Sequence, residues 1–414
     1  MGVLLAGHCK AREADKFAFC VHRLFSNNKL SPYHNAQLLK LINALAKIKT
    51  NLIKYLLFRR RHMKSIRLVP KIGYSTTIMN SAHKKLLQDG LRLHQAGQLP
   101  EAAALYKKVI DQDPNNADAL DLMGTIFYAS GNMDMAISLA EAAISVQPSY
   151  FAPYVNLGNA LQANGRLEDA INSFSKGTEL NSKNPHAANN LASALNALER
   201  FQEGAEAAQK ALVIDMKMAE AHNNLGNSQF GLDQKIDATK SFQAAVRLNP
   251  DLTEAQFNLG TLLLETGEPD LALFHLTKSI QLGPDTAVKQ YNLGNAYREL
   301  ERPEEAVDCY RAAIDLNPEY TDALTNLGAV QQSEGHLSEA IKNFRQALVI
   351  EPNSADLHWN LSLALIQNGD FREGWQEHEW RWQNSAFKES RRDFVQPRWN
   401  GELLEGKTVL IHSE

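Results

Sequence analysis

The sequence predicts an all-α solenoid of about nine helix-turn-helix units, and three regularities predict it. A small residue recurs every 34 positions: Gly90, Gly124, Gly158, Ala192, Gly226, Gly260, Gly294, Gly328 and Ser362. A second small residue follows twelve positions later in each unit, from Ala102 and Ala136 through Gly204 to Ala340 and Gly374. A proline closes most units, at Pro114, Pro148, Pro250, Pro284, Pro318 and Pro352. A fixed period of this length marks a stacked repeat, because one unit cannot bury its apolar face alone.

Each element of the unit follows from local chemistry. The first helix runs through Asn156-Leu157-Gly158-Asn159-Ala160-Leu161 and stops at Ala163-Asn164-Gly165-Arg166, where glycine serves as the C-terminal cap. The second helix carries Ala170, Ile171, Phe174 and Gly177 at helical spacing. Small residues let the paired backbones approach, and Tyr106, Phe174, Phe242, Tyr310 and Phe344 fill the space beside them. Proline then ends the second helix and turns the chain into the next unit.

This pattern resembles the tetratricopeptide repeat family over about residues 83–388. The resemblance implies a right-handed superhelical solenoid with the first helices lining a concave groove. Unit four departs most, with Gly204 for the usual alanine, Ala208 for the aromatic and Met216 for the proline, so local looseness is expected there. Unit nine decays through Gly374, His378 and Arg381.

Two places before the recurring small residue stands an asparagine in seven consecutive units: Asn156, Asn190, Asn224, Asn258, Asn292, Asn326 and Asn360. The first two units have Gln88 and Leu122 there. Asparagine is a mediocre helix former, so two readings stand side by side. In one, the amide satisfies a helix end or a neighbouring loop. In the other, a row of carboxamides grips the N–H and C=O groups of an extended peptide. The ladder is similar to the one lining the repeat domain of O-GlcNAc transferases, which implies that these seven residues bind peptide. On that reading, alanine at Asn224, Asn258, Asn292 and Asn326 should weaken binding and leave stability nearly unchanged. The adjacent groove positions (Val155, Asn189, Asn223, Phe257, Tyr291, Thr325, Trp359) carry no Lys or Arg. That argues against the carboxylate clamp with which some family members capture a chain terminus.

Charge divides the chain. Of 43 Lys and Arg and 47 Asp and Glu, residues 1–80 hold 15 and 2, leaving 28 and 45 for the remainder. The acidic body disfavours nucleic acid and anionic membranes as partners. Residues 1–78 carry no repeat signal. A transit segment, membrane-surface attraction and phosphate binding are possible readings, but Met79 sits directly before the first unit and favours a start there. The segment is expected to stay outside the solenoid core and to be poorly ordered or only locally helical. Three cysteines (Cys9, Cys20, Cys309) make no disulfide framework or CxxC zinc site. The most apolar stretch, Leu38 to Phe58, is broken by four lysines. A cytoplasmic location is the expectation, with proteins or extended peptides as partners, no cofactor and no metal.

All five tryptophans (Trp359, Trp375, Trp380, Trp382, Trp399) crowd the C-terminal end, as a solenoid cap would require. Residues 389–414 read as a linker and then a strand at Thr408-Val409-Leu410-Ile411-His412. Gly374-Trp375, Glu379-Trp380-Arg381-Trp382, Trp399-Asn400-Gly401 and Gly406-Lys407-Thr408 resemble the junction joining tetratricopeptide repeats to a glycosyltransferase-like α/β domain in bacterial proteins. The resemblance implies a catalytic domain beyond Glu414. Within the chain no nucleophile set, phosphate loop or metal cluster appears, so a binding module is expected and not an enzyme.

Overall fold

A computed structural model describes residues 81–383. They form eighteen α-helices and a short closing 3-10 helix. In chain order these are α1 (Ser81–Gln95), α2 (Leu99–Gln112), α3 (Ala117–Ala129), α4 (Met133–Val146), α5 (Phe151–Ala163) and α6 (Leu167–Leu180). Then come α7 (Pro185–Ala197), α8 (Phe201–Ile214), α9 (Ala219–Gly231), α10 (Lys235–Leu248), α11 (Thr253–Glu265) and α12 (Pro269–Leu282). The array ends with α13 (Ala287–Glu299), α14 (Pro303–Leu316), α15 (Thr321–Ser333), α16 (Leu337–Ile350), α17 (Ala355–Asn368), α18 (Phe371–His378) and the 3-10 helix Glu379–Gln383. Odd-numbered helices are the first of each unit and even-numbered helices the second. The basic segment 1–78, the linker and strand at 389–414, and Trp399 lie outside the described residues.

Each helix packs on its unit partner and on the unit that follows. First helices also touch first helices of flanking units, whereas among the described residues second helices are held apart from one another. The stack therefore curves with the first helices on its inner side.

The turn inside each unit needs one residue in the left-handed region, which closes a Schellman motif. In unit three, Gly165 N–H donates to the Gln162 carbonyl at 3.1 Å and Arg166 N–H to that of Leu161 at 2.9 Å. Gly97, Gly131, Gly165, Gly267, Gly335 and Gly369 supply the positive φ, while Glu199, Asp233 and Glu301 adopt it at φ 56–58°.

Between the paired helices, the recurring glycine makes room for the aromatic. A Cβ on Gly158 would lie 2.5 Å from the Phe174 ring, and one on Gly226 2.6 Å from Phe242. Unit two has Ala140 instead, and a cavity of about 20 Å³ opens beside Gly124. Unit four inverts the pairing with Ala192 against Ala208, both fully buried.

The looseness expected of unit four is replaced by a buried polar junction. Asn196 Nδ2 donates to the Asn224 carbonyl at 2.8 Å, and Asn196 Oδ1 accepts from Ser228 Oγ at 2.7 Å. A Cβ on Gly204 would stand 2.4 Å from that same Oδ1, so the glycine is what admits the network. The missing proline at Met216 is also covered. Side chains on the first helices bond the turn carbonyl six residues back: Tyr154 to Pro148, Gln256 to Pro250, and His358 to Pro352. His222 makes the same contact with Met216 at 3.1 Å. In unit seven Lys289 performs a related task. Its buried ammonium donates to the Ser279 and Pro284 carbonyls at 3.1 and 3.0 Å, and burial lowers its pKa.

Unit nine closes the array with stacked rings. His358 lies against Trp380 at 3.9 Å and 5°, and bonds the Glu377 carboxylate. Trp359 and Trp375 flank His378 at 4.6 and 5.3 Å.

Candidate peptide groove

The seven asparagines lie at one register on the inner helices, and all are half-buried. Five of the seven amides are already engaged across units, and in a common direction. Asn156 Nδ2 donates to Asp121 Oδ1 at 2.7 Å and Asn190 Nδ2 to Asn159 Oδ1 at 2.8 Å. Asn224 Nδ2 donates to Asn189 Oδ1 at 2.9 Å. Asn258 Nδ2 reaches both Asn223 Oδ1 (3.0 Å) and Asn227 Oδ1 (2.9 Å). Asn326 Nδ2 reaches Tyr291 Oη (3.3 Å) and Asn295 Oδ1 (2.9 Å). The acceptors always stand 35 or 31 positions earlier, one unit back on the neighbouring inner helix.

Two rungs differ because their predecessors differ. For Asn292 those positions are Phe257 and Thr261, and its Nδ2 turns onto its own helix at the Val288 carbonyl, 2.9 Å away. Thr261 Oγ1 is left buried with no hydrogen bond. For Asn360 they are Thr325 and Ala329, and the Thr325 hydroxyl is already spent on the Thr321 carbonyl. The Asn360 side chain makes no hydrogen bond among the described residues.

The ladder is thus also a clamp between units: Asn224, Asn258 and Asn326, where alanine was expected to leave stability nearly unchanged, each bond the preceding unit. The adjacent positions are not all open to the groove. Val155, Asn189 and Asn223 are buried, and the two asparagines serve as acceptors for the next rung. The Oδ1 atoms of Asn156, Asn224, Asn258, Asn292, Asn326 and Asn360 accept nothing among the described residues, and none is sealed from solvent. The column therefore presents acceptors.

Towards the C-terminus the lining becomes aromatic. Phe257, Tyr291 and Trp359 are half-buried at the register of Asn189 and Asn223. Tyr291 packs 5.1 Å from Tyr320, and Tyr310 Oη donates to Asn295 Oδ1 at 2.7 Å.

At the other end stand two carboxylates that the sequence reading passed over. Asp118 and Asp121, three residues apart on α3, are 6% and 2% exposed. Burial pushes the Asp121 carboxyl up to about 7, against the opposing Asn156 hydrogen bond and with some help from the Asp118 charge. Burial also raises Asp118, opposed by a hydrogen bond from Tyr150. Among the described residues neither has a Lys, Arg or His within ion-pair distance. The signal was present in the spacing: Asp121 precedes Asn156 by the interval at which Asn189 precedes Asn224.

Cys309 is buried, and its thiol is pushed up to about 12 by that burial, so it is not a nucleophile at neutral pH. Among the described residues no helix is long and apolar enough to cross a membrane.

Comparison with known proteins agrees with the lattice. A family model described as TPR repeat matches residues 90–131, 294–335 and 333–369, and one described as Tetratricopeptide repeat matches 155–222 and 223–285. Among solved structures, the APC/C hetero-tetramer Cut9-Hcn1 aligns with a TM-score of 0.54 at 20% identity, over 69% of this chain and 57% of that one. MamA aligns at 24% identity over 40% of this chain and 98% of its own, with a TM-score of 0.37. YrrB, described as a TPR protein with an unusual peptide-binding site, is 30% identical over 45% of this chain and 95% of its own, with a TM-score of 0.36. No curated protein sequence matches the chain.

Proposed function

The chain belongs to the tetratricopeptide repeat family, whose repeats mediate protein–protein interaction, and from that premise we propose that it is a scaffold holding extended segments of partner proteins along its asparagine-lined inner face. The observation that supports this most is the open column of Oδ1 atoms. An extended segment carries a backbone N–H on every non-proline residue, and each needs an acceptor once buried. A row of fixed carbonyl acceptors meets that need without reading side chains. The clamp makes the row better suited to the task, because amides already held by a neighbouring unit lose less rotamer freedom on binding. Repeats of this family are in general non-enzymatic, which agrees with a binding role.

The test uses the two rungs that do not join units. Asn292→Ala together with Asn360→Ala should leave the melting temperature almost unchanged. Peptides selected from an unbiased extended-peptide library on the wild-type chain should then bind several-fold more weakly, because two acceptors are lost. Unchanged affinity with unchanged stability would sink the groove reading.

The finer alternative is that the groove selects acceptor proteins for a protein glycosyltransferase. Its support is the ladder together with the junction-like motifs from Gly374 onward. It predicts that the codons following Glu414 encode a glycine-rich loop and a nucleotide-sugar domain, and reading them decides the matter.

A further inference from the structure

Resting on the groove reading, we infer that Asp118 and Asp121 form a charge-reading subsite at the N-terminal end of the groove, built to receive a lysine or arginine side chain of the bound segment. The two share the face of α3 from which Asp121 accepts the first rung's amide. An amide does that bridging work equally well two and three units on, where Asn189 and Asn223 accept from Asn224 and Asn258. Joining units therefore does not require a carboxylate at Asp121.

Burial sharpens the point. Acidic residues at the register of Asp118 recur at Glu220, Glu254, Asp322 and Asp356, where they are exposed beside a helix N-terminus. Asp118 alone of these is buried, and its Oδ1 has no hydrogen-bond partner. An ionised carboxylate removed from water without a cation is strongly disfavoured. Two of them side by side are worse: burial raises both carboxyls, and the Asp118 charge adds to the rise at Asp121. A guanidinium or ammonium brought in by a partner supplies both the missing donor for Asp118 Oδ1 and the missing charge. The acidic balance of the body, 45 Asp and Glu against 28 Lys and Arg beyond residue 80, draws such a segment towards the groove.

The experiment uses the full chain and dye-labelled Gly-Ser peptides with blocked termini, carrying one central Arg, Lys or citrulline. A further peptide has no cationic side chain and a free N-terminus. Fluorescence anisotropy at neutral pH should show the Arg and Lys peptides binding about tenfold more tightly than the citrulline peptide, as a desolvated charge-assisted pair implies. Asp118→Asn combined with Asp121→Asn should bring all to the citrulline level without weakening citrulline binding. Asparagine already fills the Asp121 register in two units, so the fold is retained, and a melting curve checks it. Equal binding of Arg and citrulline peptides to the wild-type chain overturns the inference and leaves the groove standing. So does a preference that survives the double substitution, or one confined to the free N-terminus. If no peptide binds the wild-type chain, both readings fall.

Discussion

Units three to six and units seven to nine share one backbone lattice but join their inner helices differently. In the first group amide meets amide: Asn190 on Asn159, Asn224 on Asn189, Asn258 on Asn223 and Asn227. In the second the positions 35 earlier are Phe257, Tyr291 and Thr325; the amide of Asn292 turns away, and that of Asn326 is shared between Tyr291 Oη and Asn295 Oδ1. The apolar core divides earlier, between units four and five. One cluster runs from Ala136 to Ala208 and another from Ala238 to Cys309. Between them lie Asn196, Ser228 and Gly204, and Ser241 donating to Gln229 at 2.6 Å. Where small residues thin the core, directional bonds between units take over, which preserves the spacing while fixing the register more tightly than apolar contact does.

The largest expected effect tests whether aromatic filling matters where it occurs. Phe174→Ala empties a fully buried site against Gly158 and should cost ~3–5 kcal/mol. Unit four has lived with Ala208 at that place, so Ala208→Gly should cost no more than ~1 kcal/mol through lost helix propensity. Chemical denaturation of the two variants measures the contrast. Similar losses in both would show that unit four depends on packing after all.

A second test concerns the acidic end of the polar group. The folded state holds the Asp121 proton up to about 7, whereas an unfolded aspartate releases it near ~3.9. The folded chain therefore binds that proton more tightly. The contribution is fully present below pH ~4 and is lost as pH rises through about 7. At 1.36 kcal/mol per unit the full shift is worth ~4 kcal/mol, and relaxation around the site should reduce the observed loss to ~2 kcal/mol. Denaturation midpoints measured from pH 4 to 8 should fall in the wild-type chain. Asp121→Asn should flatten that decline and be the more stable form at pH 8. A wild-type slope retained by the variant would place the titration elsewhere.

The lattice was legible because it is steric: a glycine must face an aromatic, and a left-handed residue must follow each first helix, so Gly158, Phe174 and Gly165 announce themselves at fixed intervals. Gly204 was read as a mark of looseness because its reason is Asn196 Oδ1, a contact that a linear pattern of small and large residues does not encode. The ladder's position was legible and its direction was not. Which way an amide points depends on the residues 35 and 31 places earlier, so the same asparagine clamps at Asn258 and folds back at Asn292. Asp118 and Asp121 were hidden by abundance, two carboxylates in an acidic body, until burial separated them from the exposed ones.

The smallest effect draws the finest line between the two groups. Asn258 donates to two amides of the preceding unit, so Asn258→Ala leaves Asn223 and Asn227 each short of a donor and should cost ~1–2 kcal/mol. Asn292 bonds only its own helix, and alanine is the better helix former by several tenths of a kcal/mol, so Asn292→Ala should fall within ~0.5 kcal/mol of the wild type. Urea midpoints with unchanged slopes give both numbers. Equal losses would mean that the amide-to-amide bonds carry no more than solvent does, and the two halves would then differ in lining alone. Unequal losses in the expected order would establish that one residue type at one register does two jobs, set by what the preceding unit offers it.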